Sequence, residues 1–239
     1  MQQTPFVVAQ LGQSLDGRIA TMTGESRWIN NGGDLDHLHR LRALVDAVVV
    51  GANTVIADDP SLAVYRVEGR NPARVLIDPS GRIPATARCL TSEGVRRIIV
   101  TASEINASDG VETITLARRG GKMSCEEIVR ALYSRGLRRI LIEGGAATVS
   151  GFLEAGVVDR LHIMVAPLII GSGKMGLELS PVASLARAMR PKTQVYQLAG
   201  GDVLFDCDLS DRRASRKRRS RGSDKKILMR MQDENRSAL

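Results

Sequence analysis

Short runs rich in Val and Ile alternate with helical patterns over the first 210 residues, so that Phe6 to Leu11, Ala47 to Val50, Arg74 to Ile77, Arg97 to Thr101, Glu112 to Leu116 and Arg139 to Ile142 read as strands. Unbroken apolar runs of that length mark strands covered on both faces, the habit of a parallel sheet with crossover helices. Leu35, Leu38, Leu41 and Val45 line one side of a helix over about Asp34 to Leu44. Ser124 with Glu127 makes a capping box, and the helix it opens runs to about Arg135 and stops at Gly136. A further helix, about Ala147 to Ala155, ends at Gly156. Beyond it, Arg160 to Val165, Thr193 to Leu198 and Val203 to Leu209 read as strands with no long helix between the last two. The fold class is therefore α/β: a mostly parallel central sheet with an antiparallel C-terminal edge and helices on both faces.

Composition adds a boundary. The chain has 239 residues, 43% hydrophobic and 25% charged, enough for one large α/β core. No apolar run approaches the ~20 residues of a membrane span, and Met1 to Leu11 has neither a basic start nor a long apolar region, so a cytoplasmic protein is expected. Residues 211–239 hold 11 basic and 4 acidic residues, a net of +7 that leaves only +1 of the chain's +8 for residues 1–210. We therefore divide the chain into a domain over 1–210 and a basic tail over 211–239. The tail has no clear apolar periodicity and is expected to be disordered. It reads as a solvated extension. Polynucleotide binding through it is the non-enzyme alternative, against which stand the missing aromatics and the near-neutral domain.

Cys89, Cys125 and Cys207 are odd in number and far apart, so neither a disulfide framework nor structural zinc is expected. His37 and His39 stand two apart on a helix and face different directions, and no metal site is expected from them or from His162.

Two strand-to-helix junctions carry candidate chemistry. In Val48-Val49-Val50-Gly51-Ala52-Asn53-Thr54 a buried strand ends at a glycine, and the acidic pair Asp58-Asp59 follows before Pro60. Gly51 would let the backbone approach a ligand, and free N–H groups at the helix start would attract a phosphate. The adjacent carboxylates Asp58 and Asp59 invite a shifted protonation equilibrium. In Ile142-Glu143-Gly144-Gly145-Ala146-Ala147-Thr148 a second strand meets a helix through glycines, and Glu143 stands at the carboxyl end of a central strand, where open α/β sheets bind ligands. A third segment holds the tight turn Asp16-Gly17 and Trp28, the only tryptophan, which could cover a planar ligand or anchor the core.

In combination, S-L-D-G-R-I-A (14–20), G-E-S-R-W-I (24–29), L-R-A (41–43), V-G-A-N-T-V-I-A-D-D-P-S-L (50–62), R-V-L-I-D-P-S-G-R-I-P (74–84) and I-E-G-G (142–145) resemble the reductase domain of riboflavin biosynthesis. That domain is the C-terminal half of the bacterial deaminase–reductase and belongs to the dihydrofolate reductase-like superfamily. The resemblance runs from about Phe6 to Leu209. It implies an NADPH-dependent reduction of the ribosyl group of a phosphorylated aminopyrimidine to ribityl, the substrate being 5-amino-6-(5-phosphoribosylamino)uracil or its 2,5-diamino precursor. Another NADPH reductase of the superfamily is the rival reading.

Matched position by position, the resemblance places Gly12, Trp28, Thr54 and Asp58 along the cofactor, with Gly145, Ala146, Ala147 and Thr148 around its phosphates. Ser80 and Arg82 fall near the adenosine 2′-phosphate, and Ser26, Arg42, Leu62 and Glu143 face the substrate. Arg42 can fork onto the substrate phosphate, Asp58 is the expected proton relay, and Glu143 is a hydroxyl or pyrimidine contact. The family's Arg three residues after the Leu of D-D-P-x-L is Tyr65 here, with Arg66 next, and Thr148 falls one position late after I-E-G-G. The zinc signature H-x-E with P-C-x-x-C occurs nowhere in these residues, so deamination by that chemistry is not expected of this chain. A homodimer is expected by analogy, with the strand region Leu161 to Ile170 as its interface.

Overall fold

The computed structural model describes residues 4–26, 29, 32–91, 94–211 and 213; Trp28 and nearly all of the basic tail lie outside them. The chain opens with β1 (Phe6–Ser14) and β2 (Arg18–Thr21), followed by α1 (Gly32–Leu44) and β3 (Ala47–Gly51). Next come α2 (Ala52–Asp58), β4 (Ala73–Ile77), α3 (Arg88–Thr91), β5 (Arg97–Thr101) and β6 (Val111–Thr115). The hairpin β7 (Arg118–Arg119) and β8 (Lys122–Met123) leads into α4 (Cys125–Ser134), β9 (Arg139–Ile142) and α5 (Ala146–Glu154). β10 (Arg160–Ala166), β11 (Gly173–Met175), a 3-10 turn over Leu185–Arg187, β12 (Lys192–Gln197) and β13 (Val203–Asp208) complete the described elements.

Nine strands form one sheet in the order β12-β13-β10-β1-β9-β3-β4-β5-β6. Every pairing from β10 to β6 is parallel, and β13 and β12 add the antiparallel edge that the missing crossover helix predicts. Alternation along β1 separates two cores. Val7, Ala9 and Leu11 pack with Ile128 and Leu132 of α4 and with Val149, Phe152 and Leu153 of α5. Val8, Val48, Val50 and Leu141 face the other way, with Val55 of α2, Leu62, and Leu38 and Leu41 of α1. The helices thus cover both faces, as the apolar strands require.

Several differences from the sequence reading have local causes. β1 runs on to Ser14 through polar Gln10 and Gln13, because β10 pairs with it as far as Ser14 beside Ala166. The strands β2, β7, β8 and β11 are two to four residues long and too short to show a period. β10 lies inside the sheet between β1 and β13, so the strand part of Leu161 to Ile170 has no free edge for a second copy. Within the same span Leu168 and Ile169, past the end of β10, are exposed, as are Val195 and Tyr196 on the edge strand β12.

The amino ends of the strands are tied by carboxylates. Asp46 accepts from the backbone N–H groups of Arg138 and Arg139 at 2.9 and 2.8 Å and from the Arg139 guanidinium at 2.7 Å. Those bonds outweigh its partial burial and hold its carboxyl below the usual range. Asp159 accepts from Val7 N–H at 2.8 Å and from Arg213, whose side chain is buried just beyond the boundary drawn at 210.

Candidate active site

β3 and β9 are parallel neighbours, so the helices that follow them, α2 and α5, start side by side. Both begin at a glycine cap without a side-chain bond, Gly51 and Gly145, and both carry a threonine three positions on, Thr54 and Thr148. The two junctions interlock. Thr54 Oγ1 accepts from Gly145 N–H at 2.8 Å, and a Cβ on Gly144, whose φ is +104°, would fall 2.8 Å from that same hydroxyl. A Cβ on Gly51 would fall 2.5 Å from Thr148 Oγ1. The smallness of Gly51 is therefore used by a threonine of the adjacent helix, a correction to the expectation that it admits a ligand. Gly145 N–H is likewise spent on Thr54. The N–H groups of Ala146 and Ala147 have no acceptor among the described residues and stand open at the start of α5.

Below these junctions lies a buried ion pair. Arg42 donates from Nε and Nη2 to the two oxygens of Glu143, each at 3.0 Å, and from Nη1 to the carbonyl of Ala63 at 3.2 Å. Arg42 is 8% exposed and Glu143 5%. A buried guanidinium needs a carboxylate partner, so the fork expected for a phosphate is closed on Glu143 in this structure. Ala63 belongs to the loop after α2, whose backbone is strained. Leu62 has φ +55° with its side chain buried, a conformation a branched residue keeps only when its surroundings impose it. Asp58 is exposed at the last position of α2, and Asp59 accepts from Arg88 N–H at 2.8 Å.

Further along the loop, the Arg66 guanidinium donates to Asp36 of α1 at 2.6 Å. Tyr65 N–H donates to His39 Nδ1 at 3.2 Å, and the two rings meet edge to face. Burial, helped by the cations of Arg42 and Arg66, pushes His39 down to about 4, so its ring is neutral and can accept. Ser26 is half-buried, and Gly12 stands in β1 beside Met164 of β10.

A second group forms beyond β4. Ser80 accepts from Arg118 of β7 at 2.5 Å, while Arg82 donates to Asn53 of α2 at 2.8 Å. All four side chains are exposed. Sequence reasoning found Ser80 and Arg82 but missed Arg118 and Asn53, which only folding brings beside them.

It also missed Asp34 and Gln10. Gln10 Nε2 donates to Asp34 Oδ1 at 2.9 Å, and both residues are buried. Burial first, then the negative charges of Asp202 and Glu143, push the Asp34 carboxyl up to about 7. Next to this pair His37 Nε2 and His162 Nδ1 are 3.0 Å apart, and burial pushes His37 down to about 4. As expected, His37 and His39 point to different partners.

Fold and site define an α/β domain in which open polar groups gather at the carboxyl ends of the parallel strands of a mixed sheet. Residues 5–199 match the RibD C-terminal domain, and the chain belongs to that family, the reductase domains of riboflavin biosynthesis. It is 35% identical over 212 residues to the 2,5-diamino-6-ribosylamino-4(3H)-pyrimidinone 5′-phosphate reductase of Methanothermobacter thermautotrophicus, covering 84% of this chain and 97% of that protein. It is 31% identical over 210 residues to the riboflavin biosynthesis protein RibD of Aquifex aeolicus, covering 85% of this chain but 58% of that one. Among solved structures, the deaminase/5-amino-6-(5-phosphoribosylamino)uracil reductase of Thermotoga maritima superimposes with a TM-score of 0.73 at 31% identity, over 87% of this chain and 57% of that one. The chain thus spans a little over half the length of these two relatives.

Proposed function

We propose that this chain reduces the ribosyl group of a phosphorylated aminopyrimidine to ribityl, with NADPH as the reductant. The observation that carries the reading is the buried Arg42–Glu143 pair between two interlocked glycine junctions at the carboxyl ends of β3 and β9. A desolvated ion pair is costly to maintain, and this one places a fixed carboxylate where α/β sheets take their ligands.

The residues present fit a dinucleotide. Ala146 and Ala147 offer unpaired N–H groups to a pyrophosphate, Thr54 and Thr148 stand in the first turns beside them, Gly12 lies farther along β1, and Asp58 closes α2. Ser80, Arg82 and Arg118 join a hydroxyl and two cations on an exposed rim, which suits the extra phosphate of NADPH over NADH. The bound nicotinamide would supply the hydride. The chain's own part is alignment and proton handling. Arg42 fixes Glu143 and the Ala63 backbone, Glu143 meets the substrate's polar edge, and Leu62 and Ser26 wall the sugar. Arg66 is the phosphate contact, and Asp58, exposed beside the cofactor, exchanges protons with solvent.

The diamino compound is the second reading for the substrate, favoured by the archaeal reductase whose length this chain matches almost throughout. Two copies joined through the exposed edge of β12 are the expected assembly. The test is NADPH and NADH oxidation with each of the two pyrimidine phosphates: saturable reduction of one of them, faster with NADPH, is expected, and no reduction of either overturns the reading.

A further inference from the structure

We propose that Asp34 is the acid that protonates the sugar's ring oxygen as the ribosyl ring opens, held for that task by Gln10. The inference rests on the function proposed above and adds a catalytic residue to it.

Two independent observations lead to Asp34. The first is placement. Asp34 stands in the first turn of α1, and Gln10 projects from the same sheet face as Val8, whose neighbour Leu141 is two residues before Glu143. The parallel register of β1 and β9 therefore sets Gln10 level with Glu143, so Asp34 lies beside the carboxylate that meets the substrate. The second is an unmet hydrogen bond. Gln10 is 4% exposed, its Nε2 is used by Asp34, and its Oε1 has no partner among the described residues. Asp34 Oδ2 has no bond among them either. A buried amide oxygen and a carboxyl oxygen left open side by side form a site for a polar ligand that brings its own hydroxyls.

The environment sets the state of the carboxyl. Asp202 from the β12–β13 turn and Glu143 from the end of β9 face it with negative charge, while Gln10 of β1 gives it one bond. His37, one turn on in α1, is neutral and bonded to His162 of β10, so neither ring answers Asp34 with a positive charge. The buried guanidinium of Arg42 has its fork on Glu143. Asp34 therefore holds its proton near neutrality, as a general acid must.

The step balances as follows. The bond between C1′ and the ring oxygen breaks, and its electron pair and the Asp34 proton go to that oxygen, which becomes a hydroxyl. C1′ gains the hydride of the reduced nicotinamide, and Asp34, left as a carboxylate, regains a proton from solvent.

The experiment measures the pH dependence of kcat for the full chain, with NADPH and the better pyrimidine phosphate, in wild type, Asp34→Asn and Gln10→Met. Wild type should lose turnover as pH rises past about 7. Asp34→Asn should lower kcat by about 10²-fold and lack that limb, with NADPH affinity unchanged by fluorescence titration. Gln10→Met removes a bond that favours the ionised form and should move the limb to higher pH. Unfolding gives a readout without turnover. A carboxyl raised in the folded state makes wild type lose stability as pH rises toward 7, and Asp34→Asn should abolish that loss. Reduction with the alkaline limb intact in Asp34→Asn overturns the inference alone. No reduction of either pyrimidine by wild type overturns the reading beneath it as well.

Discussion

The two ends of the parallel strands treat their polar groups in opposite ways. At the amino end, Asp46 and Asp159 are consumed by backbone N–H groups and arginines, and they knot β9 to the start of β3 and β1 to the start of β10. At the carboxyl end, Ala146 and Ala147 N–H, Gln10 Oε1 and Asp34 Oδ2 lack partners among the described residues, and Leu62 is held in a strained conformation. The same chemistry, carboxylate beside N–H and guanidinium, is thus saturated where it holds the fold and partly open where the proposed ligands would lie. Arg42 and Glu143, a buried and saturated pair at the carboxyl end, fix a carboxylate that no ligand need organise.

The largest effect should come from breaking that pair. Arg42→Met leaves Glu143 buried without its partner, and denaturant unfolding should show a loss of about 3–5 kcal/mol, with turnover abolished. Asp58→Asn comes next. Its side chain is exposed, so stability and NADPH binding should persist while kcat falls about 10²-fold; unchanged turnover would remove Asp58 from proton transfer. Gly144→Ala forces a side chain onto φ +104° and against Thr54, costing about 1–3 kcal/mol in unfolding. It should also weaken NADPH binding, because it parts the two helix starts.

The smallest effect belongs to the amino end. Asp46→Asn should cost about 1 kcal/mol and leave kcat untouched. Because the Asp46 carboxyl is lowered in the folded protein, its contribution is present at neutral pH and lost as pH falls through its folded value. The variant should therefore lose less stability than wild type on acidification. A fall in kcat at neutral pH would break the contrast between the two ends.

Much of this contrast was legible in the sequence. The apolar strands, the antiparallel edge and both glycine junctions are local patterns, and Glu143 stood out because it closes a strand. Asp34 did not, since a carboxylate in the first turn of a helix is ordinary until Gln10, 24 residues earlier, and the Asp202 turn enclose it. Nor did the pairing of Arg42 with Glu143, 101 residues apart, or of Ser80 with Arg118. Residue types revealed which groups could act, and long-range packing decided which were spent on one another.

The most direct test of the central claim is amide hydrogen exchange of the full chain with and without saturating NADPH. Protection concentrated at Ala146, Ala147 and the 51–62 segment, with Asp46, Arg138 and Arg139 unchanged, is the predicted result. Absence of any saturable change at the carboxyl end, or protection confined to the amino end, would contradict the account.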